Sequence, residues 1–178
     1  MALTNLYLIG PMGAGKSSVG LQLAKLAGKT FYDTDVEIKQ RTGVEISWIF
    51  AKEGEGGFRK RELELLQELI PLTDIVLSTG GGTIITAGCR DLLRQGDGPI
   101  IYLQVSEGIQ IHRTANYRGH RPLIEEAENP VQALQKLNTE RKALYESLAD
   151  FTFLTDRADP LTVAKEILAV LEKSGLKN

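Results

Sequence analysis

The sequence predicts an α/β fold in which parallel strands are flanked by helices and a phosphate-binding loop leaves the first strand. Three observations predict it. Gly10-Pro11-Met12-Gly13-Ala14-Gly15-Lys16-Ser17 matches G-x-x-x-x-G-K-[ST], the Walker A pattern. An apolar run, Leu3 to Ile9, precedes the loop, and Val19, Leu23 and Leu26 follow it at helical spacing, with Gly28 placed to end the helix. Short apolar runs near residues 4–9, 30–33, 74–78, 100–105 and 151–154 alternate with segments of helical period, as a parallel sheet with crossover helices requires.

The loop states its own chemistry. Its glycines let successive N–H groups turn inward, and the following helix adds a partial positive charge at its start. In such a loop Lys16 reaches the β- and γ-phosphates of a nucleotide, and the Ser17 hydroxyl ligates Mg²⁺. The alternative is a chance glycine-rich turn. A chain of 178 residues with 42% hydrophobic residues fits one domain, 1–178. Its net charge of −2 offers no general attraction for nucleic acid or an anionic membrane, so any anion site must be built locally. One cysteine, Cys89, excludes an internal disulfide and a multi-cysteine zinc site. No apolar run is long enough to span a membrane, and Met1-Ala2-Leu3-Thr4 does not read as a signal peptide, so a cytoplasmic protein is expected.

The second strand, Lys29 to Tyr32, runs into Asp33-Thr34-Asp35, where a helix starts. Thr34 and Glu37 are spaced as a capping box. Asp33 and Asp35 fall at the C-terminal end of a parallel strand, where ligands bind in open α/β sheets. There they could hold metal-bound water or accept a hydroxyl proton. Glu45 to Phe50 is a short amphipathic piece, and Glu53-Gly54-Glu55-Gly56-Gly57 is expected to break the helix in a tight turn. A helix over Phe58 to Ile70 follows, closed by Pro71. Glu62 lies on its apolar stripe, with Arg59 three residues earlier. Glu62 either orients Arg59 toward an anionic ligand or forms a routine surface pair.

The third strand ends in Ser78, where a Walker B strand usually ends in Asp, so metal help must come from Asp33 or through water. Gly80-Gly81-Gly82 makes either a floor for close ligand approach or a flexible turn. A helix over Thr86 to Gln95, a turn at 96–99, the fourth strand and a helix opened by Ser106 and Glu107 come next. From Arg113 to Leu123 three arginines, a glycine and a proline fall in eleven residues without a clean period. In a phosphate-loop protein this reads as a mobile lid, about 113–124, against the alternative of a solvated basic loop. His112 and His120 read as surface or packing residues. Asn129-Pro130 starts a long helix whose face carries Val131, Leu134, Leu137, Leu144, Tyr145 and Leu148, with Arg141 among them. That arginine either points into a cleft, to hold a carboxylate or phosphate, or snorkels to solvent. Asp159 caps and Pro160 opens the last helix, packed by Val163, Ile167 and Val170.

Taken in order, G-P-M-G-A-G-K-S, D-T-D, F-R-x-x-E, G-G-G, R-P-L-I and R-x-x-L-Y resemble the shikimate kinase family along essentially the whole chain. The resemblance implies a nucleoside-monophosphate-kinase-like P-loop NTPase with five parallel strands in the order 2-3-1-4-5. It implies transfer of the γ-phosphoryl of ATP to the 3-hydroxyl of shikimate, in chorismate and aromatic amino acid biosynthesis. Residues Gly13, Ala14, Gly15, Lys16, Ser17 and Ser18 resemble the ATP loop, with Mg²⁺ on Ser17 and, through water, on Asp33. Asp35, Arg59, Arg141 and the floor Gly80, Gly81 and Gly82 resemble the shikimate contacts, within an acceptor region of about 34–62. Arg121 resembles the lid arginine that reaches the phosphates, and Arg113 a residue near adenine. Lys16, Asp35 and Arg121 are the catalytic expectations. The motifs depart at Ile124, where the lid often has Leu. The expected partners are shikimate and ATP, with no nucleic acid and no membrane, and a monomer is expected. Gluconate or a nucleoside monophosphate as acceptor, and a binding protein without turnover, are the competing readings; no N-K-x-D guanine motif occurs.

Overall fold

The computed structural model describes residues 5–115, 127–157 and 159–175. Five strands, β1 (Asn5–Ile9), β2 (Thr30–Asp33), β3 (Ile75–Ser78), β4 (Ile100–Gln104) and β5 (Phe151–Leu154), form one sheet in the order β2-β3-β1-β4-β5. All four pairings are parallel, with Leu6 opposite Val76 and Leu8 opposite Ile101. The loop strand β1 is therefore central, and the strand order is the expected one. The helices are α1 (Lys16–Ala27), α2 (Thr34–Thr42), α3 (Ile46–Leu69), α4 (Ala87–Gln95), α5 (Glu107–Ala115), α6 (Pro130–Leu148) and α7 (Pro160–Lys173). A 3-10 turn at Thr83–Ile85, which the apolar pattern does not announce, precedes α4. Among the described residues no helix is long and apolar enough to cross a membrane.

Strand alternation divides the core into two layers. Tyr7 and Ile9 of β1 face one layer with Ile75, Leu77, Tyr102, Leu66 and Tyr145. Leu6 and Leu8 face the other with Val19 and Leu23 of α1 and with Val163, Ala164, Ile167 and Leu171 of α7. The buried face of α7 thus uses Leu171, and Val170, expected inside, is 36% exposed. Val131 and Leu26, at the ends of their stripes, are also exposed. Asn5 fastens the start of β1: its amide donates to the Leu72 carbonyl (2.6 Å) and accepts from the Ile75 N–H (3.1 Å).

Two local expectations are corrected. The cap of α2 is Asp33, whose carboxylate accepts from the N–H groups of Asp35 (3.1 Å) and Val36 (3.4 Å). The Thr34 hydroxyl instead accepts from the Gly80 N–H (2.8 Å) and so ties the glycine floor to α2. The break expected over 53–57 shrinks to one residue, Gly54 (φ 69, ψ 179), and Gly56 and Gly57 remain helical. A bidentate pair from Arg61 to Glu53 (2.9 and 2.7 Å) spans that break.

Gly10 sits at the junction of β1 and the loop with φ 148, and a Cβ there would run into the Leu103 carbonyl oxygen of β4. Gly108 lies in the first turn of α5, and a methyl group added there would meet nothing within 4 Å. Gly10→Ala is expected to lower the melting temperature by roughly 5–15 °C, since both strain and overpacking act. Gly108→Ala is expected to raise it by about 1–4 °C, and thermal unfolding of the two variants beside the parent checks both signs.

Candidate active site

The C-terminal ends of β1, β2 and β3 open into a cleft of about 670 Å³. The loop 10–17 forms one side. Gly13 (φ 78) and Gly15 (φ 86) adopt left-handed backbone, and α1 begins at Lys16. The loop carbonyls are taken up one by one. Lys16 Nζ donates to the Gly10 and Pro11 carbonyls (2.8 and 2.9 Å). Gln110 donates to the Met12 carbonyl (2.9 Å), Arg113 to that of Gly13 (3.1 Å), and the Thr155 hydroxyl to that of Ala14 (3.0 Å). These carbonyls are held by protein donors, and the Ala14 N–H closes the turn on the Pro11 carbonyl (3.3 Å), so the glycine loop keeps the fixed shape that an anion nest requires.

Beside the loop, the Ser17 hydroxyl donates to the Asp33 carboxylate (2.5 Å). The two oxygens lie together at the start of α1 and the end of β2. Ser78 ends β3 close by in the sheet, and its buried hydroxyl has no hydrogen-bond partner among the described residues. No group of three or more His, Cys, Asp or Glu side chains among the described residues is arranged to hold a metal ion. Ser17 and Asp33 are nonetheless hard oxygen donors of the kind Mg²⁺ takes while it keeps several waters and phosphate oxygens. The pair fits that ion.

The far side of the cleft is built from α2, α3, the glycine floor and α6. Arg59 donates to Glu62 and to Glu55 (2.9 Å), and its guanidinium lies 5.4 Å from the centroid of the Phe58 ring. Glu62 is 0% exposed, and its second oxygen accepts from the Thr83 hydroxyl (2.5 Å). Glu62 is thus held from both sides and fixes Arg59 against Gly82, where a Cβ would collide with the guanidinium. The glycine at 82 leaves room for the arginine itself. Arg141 of α6 is 5% exposed and lines the cleft, and its Nε has no hydrogen-bond partner among the described residues. The Tyr145 hydroxyl, one turn further along α6, donates to the Gly81 carbonyl and holds the floor to this helix.

Asp35 faces the cleft between these groups. Burial pushes its carboxyl up to about 7, the nearby charges of Asp33 and Glu62 push the same way, and Lys16 and Arg59 partly oppose them. Of the residues anticipated from sequence, Gly13, Gly15, Lys16, Ser17, Ser18, Asp33, Asp35, Arg59, Gly80, Gly81, Gly82, Arg113 and Arg141 all line this cleft. Ala14 does not, because its methyl is packed in the core beneath. Arg113 is in the last turn of α5, where it also donates to the Thr155 carbonyl (2.6 Å). Arg121, His120 and the lid segment from 116 onward lie outside the described residues.

Sequence reading missed several groups. Phe50 and Phe58, which their apolar character alone would assign to the core, also wall the cleft, with ring centroids 4.9 Å apart. Val36, Lys39, Glu45 and Ile46 line it too. Nothing in a single sequence separates a core aromatic from one at a cavity wall. Asn138 could have been found, since it lies four residues after Leu134 and three before Arg141, on the same stripe. Gln110 carries no such signal.

Comparison with known proteins agrees with this architecture. A family model described as shikimate kinase matches residues 12–172. The chain is similar to a shikimate kinase of Coxiella burnetii (strain Dugway 5J108-111), 44% identical over 97% of this chain and 96% of that one. It is also similar to a shikimate kinase of Histophilus somni (strain 2336), 45% identical over 94% of this chain and 95% of that one. Among solved structures, shikimate kinase from Acinetobacter baumannii in complex with shikimate superposes with a TM-score of 0.93 at 44% identity, covering 98% of this chain and 96% of that chain. Shikimate kinase from Aquifex aeolicus vf5 superposes with a TM-score of 0.78 at 33% identity, covering 96% and 98%. On strand order, loop and a match along nearly its whole length, the chain belongs to the shikimate kinase family.

Proposed function

We propose that this protein transfers the γ-phosphoryl of ATP to the 3-hydroxyl of shikimate, giving shikimate 3-phosphate and ADP. The observation that carries the reading is the division of one cleft into two chemistries. At one end is a loop with its carbonyls held by protein donors, beside a Ser17–Asp33 oxygen pair. At the other are two arginines, the half-buried Arg59 and the buried Arg141, with Asp35 also lining the cleft. The first end suits a nucleotide's phosphates, and the second suits a small acceptor bearing a carboxylate and hydroxyls. Membership of the family supports the same assignment.

In this reading the loop N–H groups and Lys16 bind the phosphates and meet the charge that spreads over the moving phosphoryl. Ser17, and Asp33 through water, would hold Mg²⁺, which neutralises phosphate charge when bound. Arg59 and Arg141 hold the acceptor carboxylate, and Glu62 keeps Arg59 from swinging away. Asp35 orients the acceptor hydroxyl and takes its proton as the new bond forms. A carboxyl with an affinity for protons near neutrality is suited to that exchange. Because the transition state of phosphoryl transfer is loose, alignment contributes more than basicity.

The direct test is ADP release with shikimate, gluconate, AMP and CMP offered in parallel. Turnover with shikimate far above the other three is expected, and equal turnover with gluconate would reassign the acceptor. Arg141→Ala is expected to raise the shikimate KM by roughly 10- to 150-fold, as loss of a charged hydrogen-bonded contact implies, with the ATP KM within about twofold. An unchanged shikimate KM with a large fall in melting temperature would make Arg141 a structural ion-pair member instead.

Asp35 also predicts a pH effect. Its folded pKa lies above the unfolded value, so the folded protein binds the proton more tightly. Stability therefore falls as pH rises from about 4 to about 7, and the cost is complete above the folded value. Asp35→Asn removes that cost. In metal-free buffer the variant is expected to be more stable than the parent at pH 8, by ~1–4 kcal/mol, and no more stable at pH 4. The same variant should lose at least ~10²-fold in kcat. Urea unfolding at the two pH values, paired with steady-state kinetics, checks both halves.

A further inference from the structure

The donor to the Met12 carbonyl is Gln110 of α5, a side chain 0% exposed and not needed by any step above. Its amide is held in turn. Asn138 of α6 donates to Gln110 Oε1 (2.6 Å) and accepts from Gln110 Nε2 (3.2 Å). The two amides form a reciprocal pair, so Gln110 keeps one orientation and its second N–H direction is aimed at the loop. The side chain also packs on the loop: a Cβ on Gly13 would lie 3.3 Å from Gln110 Cγ. Met12 lies between the fixed start of the loop, where Lys16 holds Gly10 and Pro11, and the point where Arg113 holds Gly13. Without the amide, the Met12 peptide is free to turn, and a turned peptide presents a carbonyl, not an N–H, to the phosphates.

We propose that Gln110, locked by Asn138, is a positioning residue for the nucleotide loop. The proposal rests on the reading that this loop takes nucleotide phosphates. It assigns to the amide pair the orientation of one peptide in the loop and no contact with either substrate. Since α6 supplies both Asn138 and Arg141, the loop and the acceptor arginine are referred to the same helix.

The test is direct binding of Mg-ADP without acceptor, by calorimetry, to the full chain. Gln110→Met keeps the length and apolar packing and removes the donor. It is expected to weaken ADP binding by at least about fivefold, the effect of leaving one buried carbonyl unpaired. Gln110→Glu keeps the shape and sets an oxygen against the Met12 carbonyl, and is expected to weaken it at least as much. Asn138→Leu is expected to weaken it about two- to fivefold in the parent and to add nothing in the Gln110→Met background, since it acts through Gln110. Shikimate affinity measured without nucleotide should stay within twofold in every variant, which general destabilisation of the fold would not allow. ADP affinity within twofold of the parent in both Gln110 variants would overturn the proposal, and so would an Asn138→Leu effect of equal size in the two backgrounds. The assay uses nucleotide alone, so a parent protein that bound ADP and left shikimate untouched would count against the kinase reading and not against the positioning role.

Discussion

The nucleotide loop depends on the backbone carbonyls of residues 10–14 being held by donors from the rest of the fold. A backbone that points its N–H groups at a ligand must point its carbonyls at protein, and a buried carbonyl without a donor is costly. Here the donors come from Lys16, Gln110, Arg113 and Thr155, that is from the loop itself, from α5 and from the end of β5. The loop cannot be understood as a local motif. Its shape is maintained by groups up to 141 residues away in the chain, brought together by the parallel sheet. Gly10 shows the same dependence from the other side, since only a residue without a side chain fits against the Leu103 carbonyl.

The end of the cleft lined by α2, α3 and α6 rests on a different balance. Asp33, Asp35 and Glu62 crowd three carboxyls into a space that also holds Lys16, Arg59 and Arg141. Glu62 is satisfied by Arg59 and the Thr83 hydroxyl, and Asp33 by Ser17 and two backbone N–H groups. Asp35 and the Arg141 Nε are the groups left with less. Charge in a buried place is tolerated when its partners arrive with the ligand, so such groups favour a filled cleft over an empty one.

The legible part of the sequence was the part governed by short-range rules. Strand positions, the loop and the order of the strands followed from apolar runs, from a spacing of glycines and lysine, and from the family resemblance. Arg141 stood out because a charge on an apolar stripe needs a reason. What escaped was contact between segments far apart. Thr34 looked like a cap by its spacing to Glu37, yet Asp33 caps the helix and Thr34 reaches across to Gly80. Val170 looked buried by period, but α7 sits rotated toward Leu171 against α1. Three glycines in five residues suggested a helix break with a tight turn over 53–57, whereas only Gly54 leaves helical geometry and Arg61 bridges to Glu53 across it. Phe50 and Gln110 have no sequence signature at all, because their importance comes from what lies opposite them.

The single left-handed residue in α3 divides one wall of the cleft into two parts. Ile46 and Phe50 lie before Gly54, and Phe58, Arg59 and Glu62 lie after. The Phe50 and Phe58 rings pack together across the joint, and Arg61 pairs with Glu53 over it. The joint therefore turns the chain without parting its halves, so that aromatic rings from two helical segments, and a charged pair from the second, are brought to one wall.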